Sequence, residues 1–230
     1  MAYIVPVNLK TFLTKVSSGI FMPVLRESKA YIKSDATSHI IKTKLFNGKT
    51  TLQIIECLYK LYRLCCNDNP KKLLNFSSLV ELSVGVISSS YSRDYIFTRD
   101  LIIKIIEKIG FFTIKQADSK NLIITYNNND IHIKPVKNES DLIGSTFIGI
   151  IDANEVWSND KAELVTAAIQ RINARIGNSK YKFVLLVIPP EEINNYSYIK
   201  NMLSLLDSIF FTVKIDPNEL SDEEIDSYFG

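Results

Sequence analysis

A short polar segment, Asn47-Gly-Lys-Thr-Thr51, comes directly before an apolar run with helical spacing. A glycine followed by lysine and threonine at the start of a helix can bind phosphate, because backbone N–H groups and the helix dipole face the anion. In such a loop the lysine supplies positive charge, and the first threonine hydroxyl reaches a Mg²⁺ ion. The candidate nucleotide-binding residues are therefore Gly48, Lys49, Thr50 and Thr51, with Thr50 also a candidate metal ligand.

This phosphate-binding motif is incomplete. Its full form has a further glycine separated from Gly48 by four residues, and Thr43 occupies that position here. The glycine is needed because it adopts backbone angles that a β-branched residue tolerates poorly. A Gly-Lys-Thr-Thr tetrapeptide is also typical of an ordinary turn into a helix, so both interpretations stay open.

A second candidate, Asp152, ends the apolar segment 147–151, Phe-Ile-Gly-Ile-Ile. In ATPases with a phosphate-binding loop, an aspartate at the end of a buried strand holds Mg²⁺, and a nearby acid polarises the attacking water. That acid is usually the next residue, which is Ala153 here, so Glu155 is the candidate catalytic acid. The alternative is that Asp152 only caps the loop after the strand.

These candidates require a sheet that brings them together. Apolar residues at steps of three and four predict a helix from Thr50 to Cys66, and further helices are predicted for 99–109, 161–176 and 198–206. Apolar runs predict strands, and turn residues mark a hairpin at 122–134. The predicted strands are Val80–Ile87, Phe147–Ile151, Phe183–Ile188 and Ile209–Ile215. We therefore predict an α/β fold with a mostly parallel sheet and helices on both faces.

Composition excludes several classes of protein. The 230 residues include 27 Lys+Arg and 25 Asp+Glu, a net charge of +2, and 46% of them are hydrophobic. A disordered chain or a protein that coats nucleic acid with its whole surface is not expected. Three cysteines and two histidines without metal-ligand spacing predict no zinc site. Without a signal peptide or membrane span, the chain is expected in the cytoplasm.

Taken in order, the motifs from about residue 48 to residue 215 resemble the ATPase domain of tailed-phage terminase large subunits, which are DNA-packaging motors. The segments that carry this resemblance are Gly48-Lys-Thr-Thr-Leu52, Asn69-Pro70, the strand Leu82–Ser90, Gly110-Phe-Phe112, Ile131-His-Ile133, Leu142-Ile-Gly144, Ile150-Ile-Asp152, and the helix with Arg171 and Arg175.

The resemblance implies a P-loop NTPase-like domain at 47–216, between an N-terminal segment with short helices at 1–46 and an acidic tail at 217–230. It implies ATP and Mg²⁺ as ligands. Double-stranded DNA and other phage packaging components are the implied partners, with a homo-oligomer as the assembly and no membrane contact. The protein would be located in the cytoplasm of an infected or lysogenic bacterial host.

Three departures from the family pattern lie at the nucleotide site: Thr43, Ala153 and the pair Pro189-Pro190. Phosphoryl transfer requires a backbone cradle, a metal anchor and a positioned acid together. The departures therefore predict weak or lost ATP hydrolysis. The alternative is a non-catalytic pseudo-ATPase that keeps the fold as an interaction scaffold.

Other interpretations concern single segments. Residues 147–155 also resemble the LAGLIDADG signature of homing endonucleases, in which this run is a helix and the acid position is Asn154 here. Arg171 and Arg175 share a helix face and are candidates to contact DNA or a neighbouring subunit's phosphate, or to pair with Glu163 or Asp160. Trp157 is a candidate for base stacking or for packing.

Overall fold

The computed structural model of the chain describes residues 4–8, 11–12, 36–41, 49–88, 93–152, 156–177, 179–189, 192, 197–206 and 209–212. In these residues the strands are β1 (Ser38–Ile41), β2 (Leu82–Ile87), β3 (Thr113–Ala117), β4 (Leu122–Tyr126), β5 (Asn129–Val136), β6 (Thr146–Asp152), β7 (Phe183–Val187) and β8 (Ile209–Thr212). The helices are α1 (Lys49–Cys65), α2 (Pro70–Leu73), α3 (Arg93–Ile109), α4 (Asn159–Ile176) and α5 (Ser197–Leu203), with a 3₁₀ turn at Glu139–Leu142.

All of these strands belong to one sheet, in the order β3-β4-β5-β2-β6-β7-β1-β8. From β5 to β8 in this order, every neighbouring pair is parallel. β4 is antiparallel to both β3 and β5. The predicted mostly parallel sheet is therefore confirmed, and the predicted hairpin forms its antiparallel edge. β3 was not predicted, because its side chains are mostly exposed and show no apolar pattern.

Helices cover both faces of the sheet, as predicted. α1 and α4 both pack against β6, while α3 packs against α1 and β2, and α5 packs against α4. All seven residues of β6 are buried. Because successive side chains of a strand point to opposite faces, a strand buried along its whole length must be covered on both. The helices α1 and α4 therefore sandwich the strand that ends at Asp152.

Part of the N-terminal segment 1–46 belongs to this same core. β1 lies inside the sheet, between β7 and β8. Phe12 is fully buried and stacks on Phe111, with ring centroids 5.4 Å apart. The backbone N–H of Val7 donates to the Tyr62 hydroxyl of α1 at 3.0 Å. The sheet therefore begins before residue 47, where the sequence pattern placed the start of the α/β domain.

Three further findings concern single segments and residues of the described chain. Residues 147–152 form a parallel strand, which contradicts the homing-endonuclease interpretation, since that family requires a helix there. Within the described part of the chain, each helix is too short or too polar to span a bilayer. The three cysteines are buried free thiols, and burial raises the pKa of Cys65 to about 12.

Candidate functional site

The first turn of α1 begins with Lys49, and no acidic residue lies in that turn. Both Lys49 and Gln53 are buried, with 7% and 0% exposure. Residues four apart lie on one face of a helix, so these two side chains share a face and are separated by about 6 Å along the axis. This helix end therefore directs N–H groups and one lysine toward the edge of the sheet.

Asp152 is the last residue of β6 and is fully buried. Strand pairing brings it level with Leu186 of β7, which in turn is level with Ile40 of β1. Since neighbouring strands are about 4.8 Å apart, Asp152 lies about 10 Å across the sheet from Ile40. The carboxyl ends of β6 and of β1, which leads to α1, thus meet at one edge, where open α/β sheets bind their ligands.

A direct contact joins α1 to the end of β6. The Gln53 side-chain amide donates from Nε2 to the backbone carbonyl of Asp152 at 3.2 Å, and both groups are buried. Because Lys49 lies one turn before Gln53 on the same face, the start of α1 projects past Asp152 at the carboxyl edge. Lys49 at the start of α1 and Asp152 at the end of β6 therefore lie at the same edge of the sheet.

The Asp152 carboxylate has a cationic partner. Oδ2 lies 2.7 Å from Nζ of Lys161, whose side chain is 13% exposed. The same ammonium donates to the backbone carbonyl of Val156 at 3.0 Å and lies 4.6 Å from the centroid of the Trp157 ring. Lys161 belongs to the first turn of α4, where the N-cap Ser158 accepts a hydrogen bond from its backbone N–H.

Trp157 is packed between α4 and the sheet. It is 7% exposed, and its indole N–H donates to the carbonyl of Val187 at 2.8 Å. Of the two interpretations of this residue, packing is therefore the one that the structure supports. The ring fixes the segment that follows β6 against the carboxyl end of β7.

A cavity of about 540 Å³ opens beside Asp152. It lies between the carboxyl end of β2, the segment after β5 and the start of α4. Its charged lining residues are Lys137, Glu139, Asp152, Asp160, Lys161 and Glu163. Lys49 and Thr50 are not part of this lining. The cavity therefore adjoins Asp152 from the α4 side of the sheet, whereas the candidate phosphate-binding turn approaches from the α1 side.

The donor chemistry at this edge fits Mg²⁺ in type. A buried carboxylate and a threonine hydroxyl are hard oxygen ligands, and Mg²⁺ in nucleotide sites takes few protein ligands and completes its shell with phosphate and water. In the described residues no cluster of three or more His, Cys, Asp and Glu side chains could hold a metal by itself. The Lys161 ammonium, however, already contacts the Asp152 carboxylate.

Several predicted residues lie outside the described part of the chain. They are Thr43, Gly48, Ala153, Asn154, Glu155 and Pro190. Thr50 and Thr51 are half-buried in the first turn of α1. Of the predicted site residues, Lys49 and Asp152 are linked through Gln53, which lies one turn after Lys49 and donates to the Asp152 carbonyl. The metal-binding roles of Thr50 and Asp152 stay predictions. Glu155 as catalytic acid and Gly48 as part of the cradle remain predictions.

Arg171 and Arg175 lie at the opposite edge of the sheet. Nη1 of Arg171 donates to the Leu142 carbonyl at 3.3 Å, and Nη1 of Arg175 donates to the Thr146 hydroxyl at 2.9 Å. Thr146 begins β6, whereas Asp152 ends it. These arginines therefore anchor α4 to the amino end of β6, instead of the pairing with Glu163 or Asp160 considered from the sequence.

Sequence reasoning missed Gln53 and Lys161. Gln53 lies four residues after Lys49 and therefore on the same helix face. This spacing is the only sequence signal that the Gln53 side chain points toward the same edge of the sheet. Lys161 stands in the first turn of a helix, where acids are favoured over cations, and this mismatch is the signal that it has an acidic partner. Neither signal names Asp152 as the partner, because that assignment needs the packing of α1 and α4 on β6.

Comparison with known proteins gives a result for the fold. No protein-family model matches the chain, and no curated protein sequence matches it either. Among solved structures, the large terminase from a thermophilic bacteriophage, in complex with ADP, is similar at 14% identity with a TM-score of 0.49. The match covers 97% of this chain and 49% of that protein, so the chain spans about half the length of that terminase.

The N-terminal domain of the DNA packaging ATPase from bacteriophage phi29 is also similar, with a TM-score of 0.51 and 8% identity. The match covers 84% of this chain and 97% of that domain. The terminase-like α/β fold predicted from the motifs is thus confirmed at the level of fold: the chain has the fold of a phage DNA-packaging ATPase domain.

Proposed function

We propose that the chain is a terminase-like ATPase domain that takes part in phage DNA packaging and binds ATP with Mg²⁺ at the carboxyl edge of its sheet. The observation that carries this proposal is the hydrogen bond from Gln53 to the Asp152 carbonyl. It joins the helix that starts with Lys49 to the strand that ends with the candidate metal anchor. The similarity in fold to the phi29 DNA packaging ATPase agrees with this function.

Each residue has a distinct role in this proposal. Lys49 and the first N–H groups of α1 hold the phosphates, because a lysine and a helix dipole together attract anions. Thr50 and Asp152 supply oxygen ligands for Mg²⁺, and the metal neutralises phosphate charge when bound. Gly48 and Thr51 complete the phosphate-binding turn, and Glu155 orients and polarises the attacking water.

Hydrolysis is proposed to be weak or lost. Loss of one electrostatic group typically lowers a rate by about two to three orders of magnitude. Thr43 stands where the loop needs a glycine, and Ala153 stands where the family has its acid. The double-stranded DNA substrate, the other packaging components and a homo-oligomeric assembly belong to the same proposal. The second candidate function, a non-catalytic scaffold, is favoured by these same substitutions.

Calorimetric titration with ATP and Mg²⁺ tests the proposal, using the wild-type chain and Lys49→Ala. A hydrogen bond to a charged group contributes about 1.5–3 kcal/mol. We therefore expect the Kd to rise about ten-fold to a hundred-fold in the variant. Lys180→Ala is the matched control, because Lys180 is an exposed lysine after α4, and its Kd should equal that of the wild type. Circular dichroism verifies that each variant is folded.

Phosphate release, measured with and without DNA, separates the two candidate functions. Slow turnover that disappears in Lys49→Ala indicates a weak ATPase. A folded wild-type chain that binds no ATP supports the scaffold and removes the ATPase proposal. Rapid turnover abolished by the same substitution contradicts the prediction of weak hydrolysis.

A further inference from the structure

Asp152, the proposed metal ligand, is in contact with a positively charged side chain of the same protein. Asp152 is fully buried, and the Lys161 ammonium lies 2.7 Å from its carboxylate. Burying a carboxylate is costly unless it is paired or hydrogen-bonded. Lys161 supplies a positively charged partner for Asp152 from within the chain.

Lys161 occupies a position in α4 that is unfavourable for a cation, and its contact with Asp152 compensates for this. The first turn of a helix favours acids, because the N–H groups and the dipole create positive potential there. Lys161 nevertheless lies in that turn, next to Asp160. The attraction to Asp152 offsets the unfavourable helix position. The ion pair thus joins the start of α4 to the end of β6.

We propose that Lys161 is the resident counter-ion of Asp152, and that its ammonium and a divalent cation compete for the same carboxylate. The inference rests on the proposed function for the role of Asp152 as a metal anchor. It adds a regulatory step to that function, since the metal can bind Asp152 only when the lysine leaves. Lys161 is thus a positioning residue for the anchor.

The displaced ammonium has acidic neighbours available. Lys161 lines the cavity beside Asp152, and Glu139, Asp160 and Glu163 line the same cavity. A cation leaving Asp152 toward this cavity enters a region of negative charge and solvent, so its release costs less than release into an apolar core. The side chain can therefore exchange places with a metal while α4 stays in position.

Two measurable consequences follow. Removing the ammonium removes the competitor for the Asp152 carboxylate, so the divalent ion should bind more tightly. A tenfold change in Kd corresponds to about 1.4 kcal/mol, and the loss of one member of a buried ion pair generally costs more than this. Trp157 is the single tryptophan of the chain and lies 4.6 Å from the Lys161 ammonium. Its fluorescence therefore reports directly on the departure of Lys161.

The experiment is a titration of the full chain without ATP. Mn²⁺ binding is followed by the loss of the free-ion electron paramagnetic resonance signal, and Mg²⁺ is used for Trp157 emission. The variants are Lys161→Met, Lys161→Gln, the double variant Lys161→Met with Asp152→Asn, and the control Lys180→Met. Lys180 is exposed and lies 5.4 Å from the Tyr181 ring, so its replacement also removes a lysine beside an aromatic ring.

We expect Lys161→Met and Lys161→Gln to bind Mn²⁺ at least about ten-fold more tightly than the wild type. The double variant should lose this gain, and Lys180→Met should match the wild type. Mg²⁺ should change Trp157 emission saturably in the wild type and leave it nearly constant in the Lys161 variants. If Lys161→Met does not fold, Lys161→Gln and the wild-type emission titration still test the inference.

Equal Mn²⁺ affinity in the wild type and the folded Lys161 variants overturns the inference, as does a gain that persists without the Asp152 carboxylate. Because ATP is absent, this result is separate from the calorimetric test. A Lys161 effect in a chain that binds no ATP keeps the competition and removes the ATPase proposal. ATP binding with no Lys161 effect keeps the proposed function and removes the competition.

Discussion

Glu56 and Asp152 are both fully buried carboxylates with a basic partner, yet they lie in different surroundings. Glu56 of α1 contacts the ring of His39 on β1, and Nζ of Lys60 lies 3.4 Å from its carboxylate. His39 is fully buried, and Lys60 also donates to the Ala36 carbonyl. This pair joins the helix and strand that flank the candidate phosphate-binding turn.

Asp152 differs in what lies beside the ion pair. Lys60 and Lys161 are similarly exposed, at 16% and 13%, so solvent exposure of the lysine does not distinguish the two pairs. Asp152 and Lys161 both line a cavity at the carboxyl edge, whereas the other partner of Glu56, His39, lies between two neighbouring strands of the sheet. The adjoining cavity is therefore the distinguishing feature, and it is the reason that we propose ligand exchange for Asp152 and a stabilising role for Glu56.

The largest expected effect comes from breaking the interior pair. Glu56→Ala removes the partner of His39 and Lys60, and loss of one member of a buried pair costs about 3–5 kcal/mol. Urea denaturation should show this decrease in the free energy of unfolding. Glu56→Gln, which keeps the volume and a hydrogen-bonding group, should lose less.

The double variant His39→Leu with Glu56→Leu serves as the control for this comparison. Apolar replacement of a whole buried pair is often neutral or stabilising, so the double variant should recover most of the loss. If Glu56→Ala lowers the free energy of unfolding by less than about 1 kcal/mol, the pair contributes no more than a solvent-exposed salt bridge does. The assignment of Glu56 to stability would then be wrong.

Much of the fold could be predicted from the sequence because the short apolar runs at 147–151 and 183–188 are typical of strands covered on both faces. The position of Asp152 at a strand end follows from the same pattern. The strand β1 was less visible, since only two of its four buried residues, Ile40 and Ile41, are apolar, and His39 is buried in contact with Glu56. Polar residues buried through pairing resemble surface residues in a sequence.

The rest of the candidate site depends on contacts between distant segments. Gln53 and Asp152 are 99 residues apart in the chain, and their hydrogen bond exists only because α1 packs on β6. Lys161 is nearer to Asp152, but its direction depends on how α4 begins. Such contacts have no periodic pattern, so sequence reasoning can suggest the residue types and cannot assign the partners.

An intermediate effect is expected from a steric change in the strand that carries Asp152. A Cβ atom added at Gly149 would lie 2.5 Å from Cδ2 of Phe183, the residue opposite it on β7. Overpacking of this kind costs about 1–3 kcal/mol, so Gly149→Ala should lower the free energy of unfolding by that amount. Urea denaturation provides the measurement.

Phe183→Leu in the Gly149→Ala background is the matched test, because it removes ring atoms near the new methyl group. The two substitutions should be less than additive if the clash is the cause. Full additivity would place the destabilisation elsewhere. The result bears on the comparison of Glu56 with Asp152, because it shows whether packing of β6 against β7 helps to position Asp152 in addition to its ion pair with Lys161.

The smallest effect concerns His132, which contrasts with the fully buried His39. Nδ1 of His132 lies 3.2 Å from Nδ2 of Asn121, and only 15% of its side chain is exposed. Burial lowers the pKa of His132 below its ordinary 6.5, the nearby charges of Lys134 and Lys71 lower it further, and Glu81 and Asp130 oppose this shift.

Because the folded chain keeps His132 neutral, the unfolded chain binds more protons below pH 6.5. The contribution of His132 to stability is therefore complete above pH 6.5 and is lost as the pH falls through its lower folded pKa. Urea midpoints measured at successive pH values should reveal a decrease of less than about 1 kcal/mol. Glu81 also has a lowered pKa, caused first by its hydrogen bond from Lys134, and its own contribution is lost only below 4.5.

His132→Gln should abolish this slope between pH 6.5 and 4.5, because the variant has no imidazole to titrate. Glu81→Gln is the control: it keeps the histidine and removes a charge that favours protonation, so the slope should persist. If His132→Gln retains the full slope, the protons bind at another group, and the assignment of this pH dependence to His132 is wrong.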